Sequence, residues 1–306
     1  QGSLVRSAAV ACVSSFGFSG TIAHVALRHR HSAMDASVTA PVVFKDYKRR
    51  SFAWRETWHA FAQREHPSSE AGNIFRSPVA GAVHALIADH VIQGRVIFPG
   101  AGYLEMARGA STLALSRTTV ALNSTFFLQP LAAEIPGLYV ECSVSEDRFD
   151  VRSGESRDGA FLEDASVHCS GSIVSTDRSA QKPANYSVHR PQCTHAADVS
   201  ALYDAFHSVG LQYGPGYRTL TYAWASGEMA SGRLRARLVN PGTDVHPADL
   251  DDALCLFPLT IRSGGDQSSK NETRLPFAVD DAVLIGVSGK LWGVRYCRTA
   301  SPCASL

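Results

Sequence analysis

A histidine set in a glycine–proline pattern is the first feature able to do chemistry. The segment reads Asp89-His90-Val91-Ile92-Gln93-Gly94-Arg95-Val96-Ile97-Phe98-Pro99-Gly100, so His90, Gly94 and Pro99 form HxxxGxxxxP. The run 91–98 is mostly apolar and can set an imidazole in the wall of an apolar cavity, where it could move a proton. Pro99-Gly100 then opens a helical pattern; proline suits a helix start because it has no N–H to leave unpaired. Free N–H groups at that start would favour developing negative charge. Taken alone, the pattern equally describes a buried core histidine with a strand-to-helix turn behind it. A second segment lies far downstream, at His246-Pro247-Ala248-Asp249-Leu250-Asp251-Asp252-Ala253-Leu254-Cys255-Leu256-Phe257. A turn ending in Pro247 leads into a short helix with three acids near its start. Leu250, Leu254 and Phe257 recur at i, i+4 and i+7 and should form its buried face. Asp251 then sits at the edge of that face, while charge–dipole stabilisation of the helix start accounts for Asp249 and Asp252.

Together the two segments resemble the dehydratase domains of modular polyketide synthases and animal-type fatty acid synthases. Those domains carry HxxxGxxxxP in one half and HPxxLDxxxQ/H in the other. His90, Gly94 and Pro99 match the first pattern; His246, Pro247, Leu250 and Asp251 match the second. Three weaker matches fall in the expected order. Gly210-Leu211-Gln212-Tyr213-Gly214-Pro215-Gly216-Tyr217 resembles GYxYGPxF, with Leu211 and Tyr217 as substitutions. Val167-His168-Cys169-Ser170-Gly171 resembles a late strand that usually reads HASG, and Leu275-Pro276-Phe277 resembles an LPF segment. The resemblance covers residues 58–306.

The resemblance implies a reaction. A β-hydroxyacyl thioester, carried on the phosphopantetheine arm of an acyl carrier protein, loses water to give a trans-2-enoyl thioester. Neutral His90 would be the base and protonated Asp251 the acid. An apolar tunnel favours the uncharged form of each. Backbone N–H groups at Gly100 would polarise the thioester carbonyl, and Tyr213 would position the aspartate or the β-hydroxyl. Gly94, Pro99, Gly100, Tyr213, Gly214, Pro215 and Cys255 are the expected substrate-binding set. The reaction is redox-neutral, so the domain itself needs no metal, nicotinamide or other cofactor. Implied partners are the carrier protein, the other domains of a megasynthase and a second copy of the chain. Cys255 departs from the pattern, because it stands where Gln or His usually orients the aspartate, and a thiol is a weak donor and acceptor. A degenerate dehydratase kept as a dimerising scaffold is therefore a rival. So is a double-bond isomerase or cyclase on the same fold, although isomerising relatives usually lack the aspartate.

The N-terminal segment Val13-Ser14-Ser15-Phe16-Gly17-Phe18-Ser19-Gly20-Thr21-Ile22-Ala23-His24 resembles the C-terminal end of a β-ketoacyl synthase. His24 would be catalytic in that family, but here it lacks the nucleophilic cysteine region, so the segment reads as a boundary relic in a Gly/Ser-rich unstructured arm. Too few residues separate it from Trp58 to hold an acyltransferase domain, which resembles systems loaded by a separate acyltransferase. The expected organisation is a cloning scar at 1–3, a ketosynthase remnant at 4–40 and a linker at 41–57. An N-terminal hotdog at 58–180, an inter-hotdog linker at 181–196 and a C-terminal hotdog at 197–306 follow. The basic run Lys48-Arg49-Arg50 could meet an acidic carrier protein, or be a solvated linker face.

Composition bounds the reading. The chain has 306 residues, is 45% hydrophobic and carries a net charge of +1, so it shows no electrostatic footprint for nucleic acid. No stretch is long and apolar enough to span a bilayer. No secretory signal is visible, but the sequence is expected to start inside a larger protein, where a native signal would not be seen, so the cytoplasm is the compartment expected by default. The seven cysteines form no CxxC pair. His168-Cys169 and Cys193-Thr194-His195 lack the paired spacing of zinc sites, so reduced thiols are expected. His29 and His31 are expected to be exposed linker residues.

The elements that must position His90 and Asp251 are a helix at 101–115 with strands at 120–128, 138–144 and 166–174, then helices at 199–209 and 248–257 with strands at 219–225, 232–238, 282–286 and 290–298. Periodicity alone predicts α+β; the double hotdog, a helix wrapped by an antiparallel sheet and used twice, comes from the resemblance.

Overall fold

The computed structural model describes residues 10–16, 22–28, 59–66, 72–117, 119–156, 162–176, 186–237, 242–260, 275–286 and 291–296. The chain divides into two units, residues 1–52 and 53–306. In the first, β1 (Val10–Phe16) pairs antiparallel with β2 (Ile22–Arg28). This hairpin corrects the unstructured arm predicted there: both runs are rich in β-branched and apolar residues, which suit a pleated surface. The expected scar 1–3, the linker 41–57 with its basic run, His29, His31, Cys297 and Cys303 lie outside the described residues.

The second unit opens with β3 (Arg64–His66), β4 (Asn73–Pro78), α1 (Ala82–Ile87), β5 (Val91–Ile92), β6 (Arg95–Val96) and α2 (Gly100–Ala114). Strands β7 (Val120–Phe127), β8 (Leu138–Val144), β9 (Arg148–Glu155) and β10 (Glu163–Ser175) complete the first half. The second half holds α3 (Tyr186–His189), β11 (His195–Ala197), α4 (Val199–Ser208), β12 (Leu220–Ser226), β13 (Met229–Leu234), α5 (Pro247–Leu254), β14 (Ala278–Val283) and β15 (Trp292–Tyr296). One antiparallel sheet runs β14-β7-β10-β9-β8-β4-β3, and a second runs β11-β12-β13-β15. Helix α2 packs on β7, β8 and β9, while α5 packs on β13 and β15 and also on α2. The result is a double hotdog.

Helix α2 is buried on all sides from Ala101 to Ser111, as a helix enclosed by its own sheet must be. Strand β9 shows the period-two alternation of a half-buried strand, with Phe149, Val151 and Ser153 inward. Two hydrophobic clusters result, one built on Phe61, Met106, Leu122 and Phe149, the other on Tyr203, Tyr217, Leu220 and Leu256. Ile92 of β5 belongs to the second cluster, so the segment bearing His90 is packed into the opposite half.

Three expectations change. His195–Ala197 is strand β11, paired with β12, and not linker. Strand β14 leaves its own half and pairs with β7, a long-range pairing that no local pattern encodes. Helix α5 turns the other way: Leu254 and Phe257 are exposed, while Ala248, Asp249, Asp252, Cys255 and Leu256 are buried. Buried acids are stable there because each finds a partner, described below.

Glu105, fully buried on α2, joins the halves. It accepts from His59 Nε2 (2.8 Å), Arg108 Nε and Nη2 (2.8 and 2.9 Å), and the backbone N–H groups of Asp244 (2.7 Å) and Val245 (3.2 Å). Burial pushes its pKa up, but the bonds from His59 and Arg108 outweigh that and hold it below the usual range. Removing one partner of a buried charge network leaves the rest uncompensated. Glu105→Ala should therefore cost on the order of 3 kcal/mol, measured as a lower midpoint in urea unfolding; an unchanged midpoint would show the network to be dispensable.

Candidate active site

His90 is placed by a hairpin. Its N–H donates to Ile87 O (2.8 Å) at the end of α1, and the chain then enters β5 and β6. The turn between them puts Gln93 at φ 51° and Gly94 at φ 78°, the paired positive values of a tight hairpin turn. The returning strand brings Ile97 beside His90, and the Ile97 N–H donates to His90 O (3.1 Å). His90 Nδ1 lies 2.6 Å from Ile97 O. A carbonyl only accepts, so Nδ1 must carry the proton, which leaves the Nε2 lone pair free. Nε2 points to Asp251, 3.9 Å from Oδ1. The imidazole is buried beside the rings of Tyr213 and Tyr217, with centroids 5.6 and 5.2 Å away, and those two rings stack on each other.

Asp251 is placed by the start of α5. His246 is the N-cap, and its Nδ1 accepts the Ala248 N–H (3.1 Å) while Pro247 takes the first helical position. Burial and the nearby Arg237 push the His246 pKa down to about 3, so it stays a neutral acceptor. The acids that follow are held differently. Asp249 receives Arg237 Nε on both oxygens (3.0 and 2.9 Å). Asp252, fully buried, accepts the Tyr203 hydroxyl (3.0 Å) and the Thr219 N–H. Burial pushes its pKa up to about 6 against these bonds. Asp251 Oδ2 is buried with no hydrogen-bond partner. Burial raises the Asp251 pKa, opposed by the attraction of the His90 ring whenever that ring is protonated and by the nearby Tyr213 hydroxyl, which acts on the carboxyl without closing a hydrogen bond on Oδ2. One turn on, the Cys255 thiol is directed at Tyr213 Oη, 3.9 Å away, and burial raises its pKa well above the usual thiol range. The result is a lone pair and a desolvated carboxyl facing each other, brought from opposite halves.

Two family models match, "Polyketide synthase dehydratase domain" over residues 59–155 and "Polyketide synthase dehydratase N-terminal domain" over residues 181–304. The chain belongs to the polyketide synthase dehydratase domains. It is 26% identical to polyketide synthase PksN of Bacillus subtilis over 71% of its own length, yet spans only 4% of that protein. The dehydratase domain from the CurF module of curacin polyketide synthase has the same fold, with TM-score 0.66 and 20% identity over 79% of this chain and 89% of that one. The dehydratase domain from the CurK module of curacin polyketide synthase gives TM-score 0.63 and 20% identity over 78% of this chain and 87% of that one.

The candidate site does not gather every residue expected in it. Tyr213 and Cys255 are buried beside Asp251. Pro99 caps α2 one residue earlier than a first-turn proline would, its carbonyl accepting the Gly102 N–H (2.9 Å), and Gly100 opens the helix against Phe127 and Pro276. Gly94 and Pro215 are exposed. Gly94 serves the hairpin turn, its N–H donating to Gln212 Oε1 (2.7 Å), and a Cβ there would meet nothing within 4 Å. Gly214 lies against Asp89, not open space. His168 is a core residue, bonded to Ser153 Oγ (2.8 Å) and Gln129 O (3.1 Å). Among the described residues no group of three or more His, Cys, Asp or Glu could hold a metal, and no helix is long and apolar enough to cross a membrane. Sequence reasoning missed Ile97, whose backbone carbonyl leaves no trace in a motif. It also missed Asp89, whose adjacency to His90 was the one available signal.

Two outcomes follow from these environments. Tyr213→Phe removes a group that lowers the Asp251 pKa, so the Asp251 carboxyl carbon should titrate at higher pH in a 13C NMR titration; an unmoved curve would mean the hydroxyl does not act on it. Asp252 has a folded pKa near 6 against 3.8 for a free carboxyl, so the fold holds a proton that the unfolded chain releases. Its stabilising contribution is full below about pH 4 and fades as pH rises through about 6. Asp252→Asn should flatten that fall in a pH series of unfolding free energies, and a slope identical to wild type would contradict the assignment.

Proposed function

We propose that this domain removes water from a 3-hydroxyacyl thioester on an acyl carrier protein, giving the trans-2-enoyl thioester. The observation that carries the reading is the His90–Asp251 pair: a fixed Nδ1–H tautomer aims the Nε2 lone pair at a carboxyl whose pKa is raised by burial. His90 Nε2 takes the α-proton, and the electrons of that C–H bond form the new Cα=Cβ bond. The Cβ–O bond breaks, and protonated Asp251 gives its proton to the departing hydroxyl. One water leaves, with no change in oxidation state. Asp251 must be protonated to act, so the rate falls as pH rises through its pKa. A requirement for one histidine and one aspartate is supported by the CurK dehydratase, of which a His-to-Phe and an Asp-to-Asn mutant are both described as inactive. On this reading the partners are the carrier protein, the neighbouring domains of a megasynthase and a second copy of the chain, and the domain needs no cofactor of its own.

A second reading has one observation in its favour. Asp251 Oδ2 has no partner and Cys255 supplies none, which favours a slow enzyme or a scaffold. One experiment separates them. Incubation with 3-hydroxyacyl N-acetylcysteamine thioesters should yield a product lighter by one water in a mass spectrum. His90→Ala and Asp251→Asn should each slow it by about 10²-fold or more. Absence of turnover at every chain length, with both variants indistinguishable from wild type, would sink the catalytic reading.

A further inference from the structure

Asp89, directly before His90, grips the turn that carries Tyr213. Its carbonyl accepts the Gly214 N–H (2.8 Å), and its Oδ2 accepts the Gly216 N–H (2.6 Å). The approach leaves no room for a side chain on either glycine. A Cβ on Gly216 would stand 2.7 Å from Asp89 Oδ2, and one on Gly214 would overlap Oδ1. The same turn is held from its other side. Arg237 Nη2 donates to Gly216 O (3.3 Å), and the Nε of the same guanidinium binds Asp249, two residues before Asp251. Residue 216 therefore spends its N–H on the segment of His90 and its C=O on the arginine that grips the helix of Asp251. Tyr217 adds a parallel link, its hydroxyl donating to Leu86 O (3.0 Å) while its ring packs on His90.

We propose that Asp89 is a positioning residue, which sets His90 against Asp251 and Tyr213 through Gly216 and Arg237. The proposal rests on the dehydratase reading for its activity assay. Its physical basis is adjacency. Asp89 and His90 share a peptide bond, so a shift of the carboxylate anchor passes to the imidazole with no intervening side-chain freedom. A misplacement of about 1 Å in a proton-transfer geometry can cost about 10²-fold in rate.

The test is a double-mutant cycle on turnover of a 3-hydroxyacyl N-acetylcysteamine thioester. Asp89→Ala should lower kcat by about 10²-fold, with KM within about twofold of wild type. Asp89→Asn keeps an acceptor for the Gly216 N–H and should recover most of the loss. Gly216→Ala drives a methyl group against Oδ2 and should lower kcat comparably. Both lesions break one link, so the double variant should be no slower than the slower single variant. Multiplying losses, or a lowered melting temperature with kcat intact, would overturn the proposal. Should wild type turn over no such thioester, the dehydratase reading fails separately. The 15N resonances of the His90 ring then decide: Asp89→Ala must move them and Asp89→Asn must leave them near wild type, and unmoved resonances in Asp89→Ala overturn the positioning role.

Discussion

The carboxylate of Glu105 is buried in the centre of the domain, and a charge in that place is tolerated only if donors surround it. His59, Arg108 and the backbone N–H groups of Asp244 and Val245 do so. Two of these donors immediately precede His246, the cap of α5. The requirement to satisfy one carboxylate on the first hotdog helix thus fixes where the second helix begins. That start determines the rotation of α5, and the rotation determines which of its acids meets His90.

Helix α5 then shows how environment separates like groups. Asp249, Asp251 and Asp252 lie within one turn, yet Asp249 is paired with Arg237 and Asp252 is satisfied by Tyr203 and Thr219. Only Asp251 has an oxygen left unpartnered in the interior. Such a group costs stability and persists where function uses it. Its neighbour Cys255 keeps its proton, because burial and the two carboxylates disfavour the thiolate.

Local signals in the sequence were reliable where the physics is local. The His246-Pro247 start of α5 and the helix that opens after Pro99 depend on neighbours a few residues away. Strand β9 was legible in its alternation but was passed over, its charged outer face masking the buried Phe149 and Val151. The face of α5 was misjudged for a different reason. Leucine spacing favoured one side, but the partners that make the acidic side buriable come from α4, the turn between α4 and β12, and the segment after β13. No window around residue 250 contains them.

His90 and Asp251, as residue types in short patterns, were determined by the sequence, together with the caps and turns that carry them. What only the tertiary structure decided is their relation: which imidazole nitrogen is free, that it stands 3.9 Å from Oδ1, and which acid keeps an oxygen without a partner. It also decided that Asp89 reaches across to Gly216. The reason is physical. Turns and caps are settled by short-range sterics and hydrogen bonds, whereas desolvation and the tautomer of a buried ring are sums over neighbours from distant parts of the chain.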